Sequence, residues 1–110
     1  MEEPAGSYED RIRKFYDHRF RLHVAHLEGL SELVVIETTQ SYMFRTSIAS
    51  ELINPNLAPE VRESILTKLI EAETERLERI VEYFRLLRVC LLELQADMKS
   101  HIETLTSDSE

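Results

Sequence analysis

Histidine is the residue type in this sequence whose spacing could do chemistry. His18, His23 and His26 lie close together, and His101 lies near the other end of the chain. His23 and His26 are three residues apart, so a helix would point both side chains to one side, as metal ligands in helical bundles do. Such metal sites also contain several inward carboxylates with Glu-x-x-His spacing, and this sequence has no such motif. We therefore predict no metal site and no cofactor.

Nucleophilic catalysis is not predicted either. Ser41, Ser47 and Ser50 lie in a helix-like segment without a glycine elbow. The sequence contains no glycine-rich phosphate loop and no CxxC pair. We therefore assign no catalytic residues, expect no small-molecule substrate, and predict that the protein is not an enzyme.

Cys90 is the single cysteine, and it lies inside the apolar run FRLLRVCLLEL. Its simplest interpretation is a small buried hydrophobic residue. One cysteine cannot form an internal disulfide, which favours a reducing compartment. We expect an intracellular protein of the cytoplasm or nucleus. No apolar stretch approaches the roughly 20 residues of a membrane helix, so no membrane partner is expected.

The positions of proline and glycine predict an all-α fold. Pro55 and Pro59 separate two segments with helical periodicity, so we expect helices at 8–53 and 60–106 joined by a turn at 54–59. Two helices of matched length predict an elongated, coiled-coil-like antiparallel hairpin. Residues 1–7 are expected to form a disordered tail, and 107–110 an acidic tail.

The first helix has a weak segment. Gly29 and the β-branched residues within 34–39 lower helix propensity. A break near Gly29 would give three helices instead of two. Both versions remain open at this point.

The second helix carries more apolar side chains than one partner helix can cover. One heptad seam is expected to pack on the first helix, and it consists of Leu77, Ile80, Phe84, Leu87, Leu91, Leu94 and Met98. Further apolar residues lie beside it and are candidates for an intermolecular interface: Leu86, Val89 and Leu92. We expect a second copy or another helical protein to cover them, most simply as a homodimeric four-helix bundle. The predicted function is that of a structural scaffold, adaptor or complex subunit.

A basic segment, residues 11–26, gives an alternative function. It interleaves aromatic residues with five cations, Arg11, Arg13, Lys14, Arg19 and Arg21. Cations can neutralise phosphates while rings stack on bases, so this patch could bind nucleic acid or an acidic partner. The formal net charge of −8 argues against nonspecific nucleic-acid binding. The simpler interpretation pairs these cations with Glu93, Asp97 and Glu103 of the second helix.

His26 gives a second alternative. It stands in the stretch AHLEGL with Glu28 close by, and a neighbouring acid can orient an imidazole and raise its basicity. Histidine phosphotransfer modules resemble this layout, because they display an exposed histidine on a four-helix bundle. The resemblance implies a phosphorylated His26.

Overall fold

A computed structural model describes residues 7–108 as two α-helices. Helix α1 spans Tyr8–Leu52, and helix α2 spans Pro59–Asp108. No strand occurs among the described residues, so the prediction of an all-α chain with two long helices is confirmed. Most of the predicted disordered tail lies outside the described residues, as do the last two positions of the acidic tail. Helix α2 includes Ser107 and Asp108, which the sequence analysis assigned to that tail.

Ser7 caps the start of α1. The Asp10 backbone N–H donates a 3.3 Å hydrogen bond to the Ser7 hydroxyl, and the Arg11 N–H donates a 2.9 Å bond to the Ser7 carbonyl. Glu9 and Asp10 place negative charge in the first turn, where the helix dipole favours it. The helix therefore begins where its capping residue satisfies the first free amides.

Asn54 organises the turn between the helices. Its backbone N–H donates to the Glu51 carbonyl at 3.2 Å, and its side-chain oxygen accepts the Asn56 N–H at 3.0 Å. Pro59 is the first residue of α2, where its missing N–H costs nothing. The two helices are thus joined by a short turn with its own hydrogen bonds.

Helix α1 continues through Gly29 without a break. Gly29 does not have a positive φ, and a Cβ built on it meets nothing within 4 Å. In the β-branched stretch, the Thr38 hydroxyl donates a 2.7 Å bond to the Val34 carbonyl inside the helix. The described residues therefore contain two helices, and the three-helix alternative is not seen in them.

The chain divides into two compact units. The turn unit is Leu30–Arg85, and the terminal unit combines Met1–Gly29 with Leu86–Glu110, described here over 7–29 and 86–108. In each unit a segment of α1 packs against an antiparallel segment of α2. Within residues 7–108 neither helix has the length and apolarity that crossing a membrane requires.

The seam between the helices is unusual in what it buries. Among the described residues no hydrophobic side chain is buried, and the two buried residues are polar: His23 is 6% exposed and Ser41 is 9% exposed. Apolar residues along the seam, such as Leu27, Leu87 and Leu94, reach only intermediate burial. Each unit thus lacks the closed apolar core of a stable domain.

Replacing Gly29 with alanine should stabilise the protein. Because the site is helical and open, Gly29→Ala removes the entropy cost of glycine and should raise the free energy of unfolding by about 0.5–1 kcal/mol. Urea unfolding followed by circular dichroism measures this change. The matched control Ala25→Gly, at an exposed position one turn earlier, should destabilise by a similar amount. A destabilised Gly29→Ala variant would contradict a continuous α1.

Candidate functional site: a polar seam and exposed apolar faces

Asp97 is the centre of the seam in the terminal unit. Its Oδ2 accepts a hydrogen bond from Arg19 Nε at 2.6 Å and lies 2.6 Å from His23 Nε2. The hydrogen bond from Arg19, followed by that from His23, holds the pKa of Asp97 below its ordinary value. One carboxylate on α2 thus satisfies two side chains of α1, including the most buried residue of the described chain.

Tyr16 and His101 extend this seam toward the chain ends. Their rings stack with centroids 4.3 Å apart and planes 11° from parallel. The Tyr16 hydroxyl shares a 2.8 Å hydrogen bond with the Ser100 hydroxyl, and this contact lowers the pKa of Tyr16. A groove of about 300 Å³ beside the seam is lined by these two rings and by other residues that include Phe20 and Met98. The terminal unit is therefore held by directional polar contacts next to an open apolar groove.

Glu37 has the corresponding role in the turn unit. Its carboxylate accepts hydrogen bonds from Arg79 Nη2 at 3.1 Å and Arg76 Nη1 at 3.3 Å. The hydrogen bond from Arg79 is the main reason why the pKa of Glu37 is lowered. Nearby, the Ser41 hydroxyl donates to the carboxylate of Glu73. Each unit therefore has polar groups that cross between the helices and fix which residues lie opposite one another.

The cations of the basic segment already have partners within the chain. Arg13 and Lys14 pair with Asp10, at 2.5 and 3.1 Å, and Arg21 lies 3.0 Å from Asp17. Arg19 crosses to Asp97, one of the acids of the second helix named as partners in the simpler interpretation. Arg11 has no ion-pair partner among the described residues. Four of the five cations thus have a carboxylate within 4 Å, which reduces the positive charge that a phosphate would meet.

The histidines occupy different environments. His23 lies in the seam, whereas His18 and His26 are exposed on α1. Glu28 is exposed as well, and residues 7–108 contain no hydrogen bond between it and His26. No three potential metal ligands meet in this part of the chain. The structure therefore places His23 with Asp97 and leaves His26 alone on the surface.

The predicted apolar residues of α2 separate into two groups. Four are half-buried: Ile80, Leu86, Leu87 and Leu94. The others are exposed, five of them by more than half: Leu77, Phe84, Val89, Leu91, Leu92 and Met98. The first group is therefore partly shielded in the described chain, and the second group is exposed to solvent.

Six of the exposed apolar residues of α2 follow a strict seven-residue spacing. The turn unit contributes Ile70, Leu77 and Phe84, the terminal unit contributes Leu91, Met98 and Leu105, and all six are more than half exposed. Helix α1 has a similar exposed series: Tyr8, Phe15, Leu22, Ile36 and Met43. The sequence analysis named neither Ile70 nor the α1 series as exposed residues, although their seven-residue spacing is a visible signal.

Comparison with known proteins identifies no relative. No protein-family model matches the sequence, and no curated protein or solved structure matches the chain. We therefore infer the function from the polar seam and the exposed apolar faces.

Replacing Asp97 with asparagine should destabilise the protein in a pH-dependent way. A lowered pKa in the folded state means that ionised Asp97 stabilises the fold above the ordinary value of 3.8, and that this contribution disappears as pH falls through the folded pKa. The urea midpoint of Asp97→Asn should therefore lie below that of the wild type at about pH 7 and approach it at about pH 3.

Asp17→Asn is the matched control for this comparison. Asp17 forms an exposed ion pair within α1, and such pairs contribute little. Its midpoint should stay close to that of the wild type at both pH values. Equal effects of the two substitutions would contradict a special role for Asp97.

Proposed function

We propose that this chain is a non-enzymatic interaction protein, a small helical scaffold, adaptor or complex subunit that packs its exposed apolar helix faces against helices of another chain. The observation that supports this proposal is that no hydrophobic side chain of the described residues is buried. A soluble helix normally hides its apolar face in a core. Here the faces are formed but not covered.

Covering the exposed apolar side chains would contribute a large part of a domain's free energy of unfolding. Fully burying a Leu or Met side chain is worth about 1.5–3 kcal/mol. Leu91, Met98 and Leu105 are each about half exposed, so covering these three would add about 2–5 kcal/mol. Net stabilities are only about 5–15 kcal/mol, so the covering partner would decide how stable the fold is.

A four-helix bundle is the simplest assembly that covers these faces. Each helix of such a bundle has two neighbours and therefore two apolar seams. Helix α2 has one seam against α1 and a second, exposed heptad series. A second copy or another helical protein would supply the missing neighbours.

Cys90, a half-buried free thiol in the seam, suits a reducing compartment such as the cytoplasm or nucleus.

The two alternative functions have no comparable support. Nucleic-acid binding needs free cations, and four of the five in the basic segment are paired with carboxylates. Phosphotransfer at His26 rests on exposure and a neighbouring Glu28, which are common on any helix surface. No observation favours either function over helix packing.

Introducing charge on the exposed series should abolish assembly and lower the stability of the helices. The double variant Leu91→Glu/Met98→Glu changes side chains that are more than half exposed in the free chain. We expect light scattering across a dilution series to give a mass above 12.9 kDa for the wild type and the monomer mass for the variant. Circular dichroism should show that the variant unfolds at a lower urea concentration than the assembled wild type, because its apolar faces have lost their cover.

Leu94→Glu is the contrasting variant, because Leu94 is half-buried against α1. Leu94→Glu should reduce the helicity of the chain directly, because it disrupts the contact with α1.

A wild-type chain that is a stable, fully helical monomer at every concentration would contradict the proposed function, since its exposed faces would then need no cover. A wild-type chain that is monomeric and poorly folded would still agree with it, because another protein would then have to complete the fold.

A further inference from the structure

The terminal unit has an exposed groove on α2 whose ends carry opposite charges. Leu91, Met98 and Ile102 line its middle, with Arg88 at one end and Glu103 at the other. All five side chains are exposed. Within residues 7–108 neither Arg88 nor Glu103 has an ion-pair partner, and the same is true of Lys99, which lines the groove between them. The groove therefore has an apolar centre, unpaired opposite charges at its two ends, and a further cation, Lys99, about one helical turn from Glu103.

The charges at the two ends of the groove are complementary to those of a second copy in the antiparallel orientation. Arg88 and Glu103 are separated by about 22 Å along the helix. When a second α2 lies antiparallel across the groove, a two-fold rotation exchanges the two ends and brings each Arg88 beside the Glu103 of the other copy. A parallel arrangement would instead bring like charges together at both ends, which is unfavourable.

We propose that a second copy of this chain occupies this groove, with the two α2 segments antiparallel around a two-fold axis near Gln95 and Met98. In this arrangement Leu91 faces Ile102 of the second copy, and Gln95 faces Met98 of the second copy. In this register Glu103 lies two residues, about 3 Å along the axis, from the position directly opposite Arg88, and the two long side chains form two equivalent ion pairs at the rim. The inference rests on the proposed function and deepens it, because it names the partner and the contact.

The arrangement satisfies the physical requirements of a closed dimer. A two-fold interface uses the same patch on both copies, so no exposed apolar surface is left at this site to bind a third copy and start a filament. The apolar middle is covered, while the charges stay at the solvated rim where pairing determines orientation and specificity. Lys99 also lines the groove, and its alkyl stem can cover apolar surface while the ammonium stays in water.

A charge-swap experiment tests the proposal. Arg88→Glu and Glu103→Arg should each place two like-charge contacts in every dimer. Each should therefore raise the dissociation constant of the dimer by about tenfold or more at low salt. The double variant Arg88→Glu/Glu103→Arg restores both opposite-charge pairs, so its dissociation constant should return to within about threefold of the wild type. Sedimentation equilibrium over a dilution series measures all four proteins, with circular dichroism to check that each is helical.

The double variant Lys68→Glu/Glu71→Arg is the matched control. It exchanges one cation and one anion at exposed positions of α2 outside the groove and keeps the net charge. It should leave the dissociation constant unchanged.

Several outcomes would overturn the proposal. It is wrong if single reversals do not weaken the dimer, if the double variant is as weak as the sum of the single changes, or if the wild type is monomeric. A dimer that ignores the charge swap overturns this contact but leaves the proposed function standing, as does a poorly folded monomer that needs another protein. Only a stable, fully helical monomer overturns both.

Discussion

Two antiparallel helices share only one seam, and this limit determines the other properties of the chain. A helix in a stable domain buries a broad apolar stripe, but a single neighbour covers only part of it. In the described residues even the seam positions, such as Leu87 and Leu94, stay half-buried, while Leu91 and Met98 next to them are more than half exposed. The surplus apolar surface is thus a direct result of having two helices with apolar residues on more than one side.

The polar contacts of the seam provide specificity more than stability. Asp97 with Arg19 and His23 in the terminal unit, and Glu37 with Arg79 in the turn unit, are directional contacts that fit only one alignment of the helices. Polar residues at seam positions fix register and orientation at a cost in stability, because charged groups must give up water. The seam therefore determines how the helices pair but adds little apolar burial.

The helix ends could be predicted from the sequence, but the seam only in part: Ile80, Leu87 and Leu94 are half-buried, whereas the other residues of the predicted seam are exposed. Pro59 and the turn before it locate the helices well, because proline acts locally. The predicted seam combined Leu94 with the apolar Met98. The structure instead turns Asp97 toward α1, because Arg19 and His23 stand there to receive it. That choice depends on pairing across the seam, which hydrophobic periodicity along one helix does not record.

These features together imply that folding and association are coupled in the proposed function. If the seam sets alignment and a second interface supplies most of the apolar burial, the helices are formed by local sequence but stabilised by their partner. Stability would then depend on protein concentration, as expected when a partner binds only the folded state. The opposite charges of Arg88 and Glu103 fit this division of roles, since rim charges select one orientation while the apolar middle supplies the affinity. A chain organised in this way would use polar residues twice, once to align its own helices and once to choose the helix that covers them.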